Sequence, residues 1–114
     1  MNNKSLSKIT LADKNLIYLI DFSQIIFYAS ESCYSTLHLI DGRSFVLIKS
    51  LSKVEKELNT CSFIRVNQSY LINRNQIIHI DKKNKQVALI NSISLPFTIT
   101  VKKFIELLNL NDLY

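Results

Sequence analysis

A chain of 114 residues that is 47% hydrophobic can build one core without staples. A single glycine and two cysteines exclude a glycine-rich phosphate cradle, a disulfide framework and a cysteine-based zinc site. Fourteen Lys and Arg against nine Asp and Glu leave a net charge of +5 and a pI near 9.3, compatible with a polyanionic partner without demonstrating one.

No apolar run reaches the length of a membrane span, and the start MNNKSLSKIT lacks the apolar core and cleavage site of a signal peptide. A cytoplasmic protein with free thiols at Cys33 and Cys61 is the expectation. Residues 1–7 are polar and read as a flexible start or linker remnant, with residues 8–114 forming the domain. Two strands, Lys8–Leu11 and Leu16–Ile20, are predicted around the turn Ala12–Asn15. Gln24–Tyr28 follows as a third strand, then a small polar loop, Ala29–Cys33. In the next strand, Tyr34–Ile40, Leu37 and Leu39 fall on one face and Tyr34, Thr36 and His38 on the other. Asp41-Gly42 signals a hairpin into Arg43–Ile48.

The period then changes. Leu51, Val54 and Leu58 at i, i+3 and i+7 predict a short amphipathic helix within Lys49–Leu58. Its start is open between a Ser50 cap and the capping box Ser52-x-x-Glu55, and Asn59 is a fair stop. The stretch Cys61–Ile80 returns to alternation, with FIRV and SYLI joined through Asn67 and Gln68. The polar cluster Asn73–Gln76 then leads into IIHI. Amides buried at such a joint would lack partners, so Asn67 and Gln68 are expected at a strand rim or in a loop facing a polar partner. Gln86–Ile90 and Ile93–Leu95 bracket the turn Asn91-Ser92 before Pro96. Val101, Phe104, Ile105 and Leu108 close the chain with a helix capped by Thr98 or Thr100.

Little in this pattern speaks for catalysis. His38 and His79 sit mid-strand, where a hydrogen-bonded sheet histidine is the commoner case than a general base, and Glu55 and Glu57 read as solvated charge on a helix face. Tyr28 and Tyr34 have the rings to stack on bases, but half-buried sheet tyrosines are more usual. From Cys61 onward seven basic and three acidic side chains carry +4 of the total +5. Within that half, Lys82-Lys83-Asn84-Lys85 reads as an ordinary solvated hairpin tip.

Three runs, QIIFYASESCYSTLHLIDGRSFVLIKSLSKVEKEL, FIRVNQSYLINRNQIIHID and QVALINSISLPFTITVKKFIELL, together resemble the LytTR family of bacterial DNA-binding domains. The similarity covers roughly Lys8 to Leu108, and its most specific element is F-I-R-V-x-x-S-Y-L-I-N from Phe63 to Asn73. The resemblance implies a mostly β, elongated arrangement of small antiparallel sheets with two short helices. It also implies reading of DNA by loops that reach base edges in successive major grooves. Carried over by position, the first contact falls on Ser32, Cys33 and Tyr34. The second falls on Asn67 and Gln68, where the family usually has a His followed by a basic or amide residue. The third falls around Ile99 and Thr100, where an Arg is common and absent here; Lys102 and Lys103 lie a half-turn later. Lys49 and Ser50 match positions that lie against the DNA backbone.

These features imply a sequence-specific transcription regulator, not an enzyme, with no cofactor and no membrane association. Its expected partner is double-stranded DNA, bound by two copies on paired sites. Such domains usually follow a receiver or membrane sensor, so a sensor or receiver protein is a further expected partner. The initiating Met1 fits a stand-alone regulator, and an excised output domain is the other possibility. The uncharged Asn67-Gln68 and the missing Arg motivate an alternative, a LytTR-like protein-interaction module that has lost base-specific reading.

Overall fold

Alternating strands and turn residues produce ten short strands and two eight-residue helices in the computed structural model, which describes residues 7–109. The expected flexible start therefore lies outside the described residues except for Ser7, as do residues 110–114 of the expected domain. Strands β1 (Lys8–Asp13) and β2 (Leu16–Asp21) form a two-stranded hairpin closed at Lys14, which adopts a φ of 55°. Strands β3 (Ile25–Glu31), β4 (Tyr34–Leu39), β5 (Ser44–Leu47), β6 (Phe63–Arg65) and β7 (Tyr70–Asn73) make a five-stranded antiparallel sheet in the order β5-β4-β3-β7-β6. Strands β8 (Ile77–Asp81), β9 (Gln86–Leu89) and β10 (Ile93–Pro96) make a third sheet, β10-β9-β8.

The five-stranded sheet is apolar on both faces because it is covered on both. On one side Tyr28, Leu37, Leu39 and Leu71 meet α1 (Leu51–Leu58) and the first hairpin through Leu51, Val54, Leu58, Leu11 and Ile20. On the other, Phe27, Ala29, Ile64 and Ile72 meet Val87, Leu89 and Leu95 of the third sheet and Phe104 of α2 (Val101–Leu108). Each of these large side chains contributes about 1.5 to 3 kcal/mol by leaving water. Asn73, 1% exposed, ties the layers together. Its Nδ2 donates to the Phe22 and Ile25 carbonyls, both at 2.9 Å, while its Oδ1 accepts from Asn75 N at 3.0 Å.

Both helix starts are decided by packing. Ser50 caps α1, its Oγ accepting from Lys53 N at 3.2 Å, because a helix opened at Ser52 would leave Leu51 outside the buried stripe. Thr100 caps α2 in the same way at 3.0 Å, whereas the Thr98 backbone is tied to the Val66 carbonyl. Two expected loops are shorter than the sequence suggests. Ala12 and Asp13 continue β1, paired with Ile17 and Leu16, so that turn narrows to Lys14-Asn15. Ala29–Glu31 are strand, not loop, because pairing on both sides (Ala29 with Tyr70 and Thr36, Glu31 with Tyr34) extends β3, leaving only Ser32 and Cys33 to turn.

Candidate nucleic-acid interface

Antiparallel alternation brings the end of β5, the start of β4, the end of β3, the start of β7 and the end of β6 to one end of the five-stranded sheet. Lys49-Ser50, Ser32–Tyr34 and Asn67-Gln68 therefore emerge in one row, which at about 4.8 Å per strand is about 19 Å long. Hydrogen bonds join its members. Ser35 Oγ donates to the Lys49 carbonyl at 2.9 Å, and Ser30 N donates to the Ser69 carbonyl at 2.8 Å. The third expected region continues the row, since Asn67 Nδ2 donates to the Pro96 carbonyl at 2.8 Å and Thr98 N to the Val66 carbonyl at 3.0 Å. Lys49-Ser50, Ser32–Tyr34 and Asn67-Gln68 thus share one sheet end, with the Pro96–Ile99 segment joined to it.

Their side chains are not equally available. The Asn67 Oδ1 accepts from Ser69 N at 2.8 Å and from Tyr70 N at 2.9 Å, so with the bond to Pro96 this amide shapes the loop. Gln68 is exposed, and its amide has no partner among the described residues. Ser32 occupies the left-handed region at φ 63°; Cys33 is exposed, and Tyr34 is 38% exposed. Lys49 is held by Glu57 at 2.6 Å, which keeps that carboxyl below its ordinary range. Thr100 serves as the α2 cap, and the Ile99 carbonyl accepts from Lys85 Nζ at 2.8 Å. Lys102 and Lys103 are exposed, with no ion pair among the described residues.

Two features add to this edge: Arg65, which the sequence reading did not single out, and the Lys82–Lys85 hairpin tip, read there as ordinary solvated charge. Arg65 donates through Nε to the Asn67 carbonyl at 2.8 Å, through NH2 to the Gln68 carbonyl at 3.0 Å and through NH1 to Glu55 at 2.9 Å. An arginine inside the apolar run FIRV was the available signal, since a half-buried guanidinium requires several acceptors. The second is the Lys82–Lys85 tip. Gln86 pairs with both Asp81 and Pro96, so the tip stands beside the third region. Phe97 N donates to the Lys85 carbonyl at 3.1 Å, while Lys85 Nζ lies 4.8 Å from the Phe97 ring centroid. Lys82 and Lys83 are exposed.

The remaining chemistry is quiet. Glu55 and Glu57, expected as solvated charge, are exposed but ion-paired with Arg65 and Lys49. His38 stacks on Phe27 with ring centroids 4.4 Å apart and lies 3.2 Å from Thr36 Oγ1. Burial lowers its pKa, opposed by the Glu31 charge, so the ring is held neutral. His79, expected to be hydrogen-bonded, is exposed, and its ring makes no hydrogen bond among the described residues. No group of three or more His, Cys, Asp or Glu able to hold a metal occurs among the described residues. No helix among them is long and apolar enough to cross a membrane.

No curated protein matches the chain. The LytTr DNA-binding domain of a protein described as a methyl-accepting/DNA response regulator from Bacillus cereus shares 21% identity with it. The two superpose with a TM-score of 0.72, covering 90% of this chain and 96% of the other, which is a likeness of fold. A family model, the LytTr DNA-binding domain, matches residues 15–109. With that match over most of its length, the chain belongs to the LytTR family of DNA-binding domains.

Proposed function

We propose that this chain is a sequence-specific DNA-binding transcription regulator that reads base edges with the loops of one sheet end and acts as two copies on paired sites. A sensor or receiver protein would supply its signal, and the chain works by binding, not by catalysis. The observation that carries the reading is the Asn67–Ser69 loop, where Gln68 keeps an unpartnered amide on a backbone fixed by Arg65 and Asn67. A primary amide makes two hydrogen bonds to the N6 and N7 edge of adenine, and a preset backbone lowers the entropy lost in doing so. Ser32, Cys33 and Tyr34 approach a neighbouring step of the groove. Ile99 and Thr100 lie where the third contact falls, with Ile99 offering apolar surface to a thymine methyl.

Around these, Lys102, Lys103, Lys82 and Lys83 are available to phosphates, which position a protein without reading sequence. The Lys85 tether to Ile99 compensates for the absent arginine by concentrating charge next to the third region, not by replacing its base contact.

Selection from a pool of random duplexes tests this, with wild type and Gln68→Ala in parallel. A motif recovered by wild type and relaxed at one base pair in the variant is the expected result. Failure of the folded wild type to enrich any sequence at low salt would overturn it in favour of a protein-interaction module.

A further inference from the structure

Adjoining the loop row at Lys49, a cleft of about 320 Å³ opens between β1, α1 and the end of β5. Its walls are aliphatic, from Ile9, Leu11, Leu47, Val54 and Leu58, and Tyr28 borders it. Small-ligand sites begin near this volume, at roughly 300 Å³, and combine such walls with a few convergent polar groups.

Tyr28 is the unusual member. The residue is only 1% exposed, with its ring packed edge-on against Phe63 at 5.8 Å between centroids. Its hydroxyl has no hydrogen-bond partner among the described residues, yet no fully enclosed side-chain polar atom among them lacks one. The hydroxyl is therefore not fully sealed in the core, and Tyr28 is one of the residues lining the cleft. A phenol so placed adds nothing to the fold that a phenylalanine would not supply, and it lowers stability by its lost hydration. Burial also raises its pKa well above the ordinary range, so it remains a hydrogen-bond donor at any physiological pH.

Donors at the mouth narrow the ligand class. Lys8, Lys49 and Glu57 line the cleft, and Asp21 beside Lys8 balances the second lysine. Lys49 gives one of its three donors to Glu57 at 2.6 Å, and Lys8 lies 3.2 Å from Asp21. Both ammonium groups thus keep donors for an incoming anion.

We infer that this cleft is a binding site for a small, largely apolar carboxylate, its hydrocarbon part between β1 and α1 and its carboxylate taking hydrogen bonds from the Tyr28 hydroxyl and the Lys49 ammonium. The site shares Lys49 with the loop row, while its aliphatic walls and Tyr28 lie outside that row.

Phenylacetate and hexanoate, with phenylacetamide as the uncharged control, are suitable probes in an NMR titration of the full chain. Saturable shifts at Tyr28, Val54 and Leu58 are expected with the carboxylates. Phenylacetamide should bind several-fold more weakly, and Tyr28→Phe should weaken phenylacetate about tenfold through loss of a charge-assisted hydrogen bond. Lys49→Gln should weaken it comparably. Melting of the unliganded Tyr28→Phe protein should occur at or above the wild-type temperature. The inference is overturned if those resonances stay unmoved at tens of millimolar probe, or if Tyr28→Phe binds as well as wild type. A lower melting temperature for Tyr28→Phe would also overturn it, since the hydroxyl would then serve the fold. Equal binding of acid and amide would overturn the anion assignment.

Discussion

The Ser32-Cys33 turn and the Asn67–Ser69 loop lie at the same end of the same sheet, yet they are built differently. The first is two residues closing β3 onto β4, held by the flanking pairs Glu31 with Tyr34 and Ser30 with Ser35. No side-chain hydrogen bond from Ser32 or Cys33 occurs among the described residues. The second is supported by its own framework: two bonds from Arg65 to the loop carbonyls, two into the Asn67 oxygen and one from Asn67 to Pro96. A tight turn inherits its shape from the ladder. A longer loop must build its shape from side chains, and those are thereby removed from contact with a partner.

The largest expected effect tests that division directly. Asn67→Ala removes three hydrogen bonds and should cost about 2 to 3 kcal/mol in a denaturant titration, weakening binding to every duplex alike. Cys33→Ala should stay within about 0.5 kcal/mol of wild type. Equal losses from the two variants would erase the contrast between loop and turn.

Gln68→Ala sharpens the comparison within the loop. It should remove about 1 to 3 kcal/mol of discrimination at one base pair while leaving the unfolding midpoint nearly unchanged. A destabilised Gln68→Ala protein with an unaltered motif would instead make Gln68 part of the framework, like its neighbour.

A smaller effect is expected from the exposed lysines in the first turn of α2. Lys102→Ala and Lys103→Ala should each flatten the slope of log K against log salt by about 0.9 and weaken all sequences together. An unchanged slope would place these charges away from phosphate. The smallest effect belongs to the turn: Ser32→Gly should stabilise the protein by about 0.5 kcal/mol, because glycine meets no Cβ penalty at the observed φ of 63°. Thermal melting checks it, and a loss of stability would mean that the Ser32 side chain supports the turn after all.

Much of the architecture was legible in the sequence. Alternation marked the strands, the i, i+3, i+7 spacing of Leu51, Val54 and Leu58 marked α1, and Asp41-Gly42 and Asn91-Ser92 marked turns that form where expected. These signals are local, arising from which face of a strand or helix a side chain must occupy. Where two local signals competed, as at Ser50 and Ser52 or Thr98 and Thr100, packing chose between them.

The sequence by itself determined the kind of fold and its family likeness, because period and turn chemistry are carried by neighbouring residues. Only the tertiary structure decided which of two adjacent amides is free. Asn67 is bound to a carbonyl 29 residues away, and Arg65 reaches both the loop and a helix glutamate. It likewise set Lys82–Lys85 beside Pro96–Thr100 and left the Tyr28 hydroxyl bordering a cleft. A polar side chain's availability depends on the donors and acceptors that distant segments bring within about 3 Å, and sequence spacing does not encode that distance.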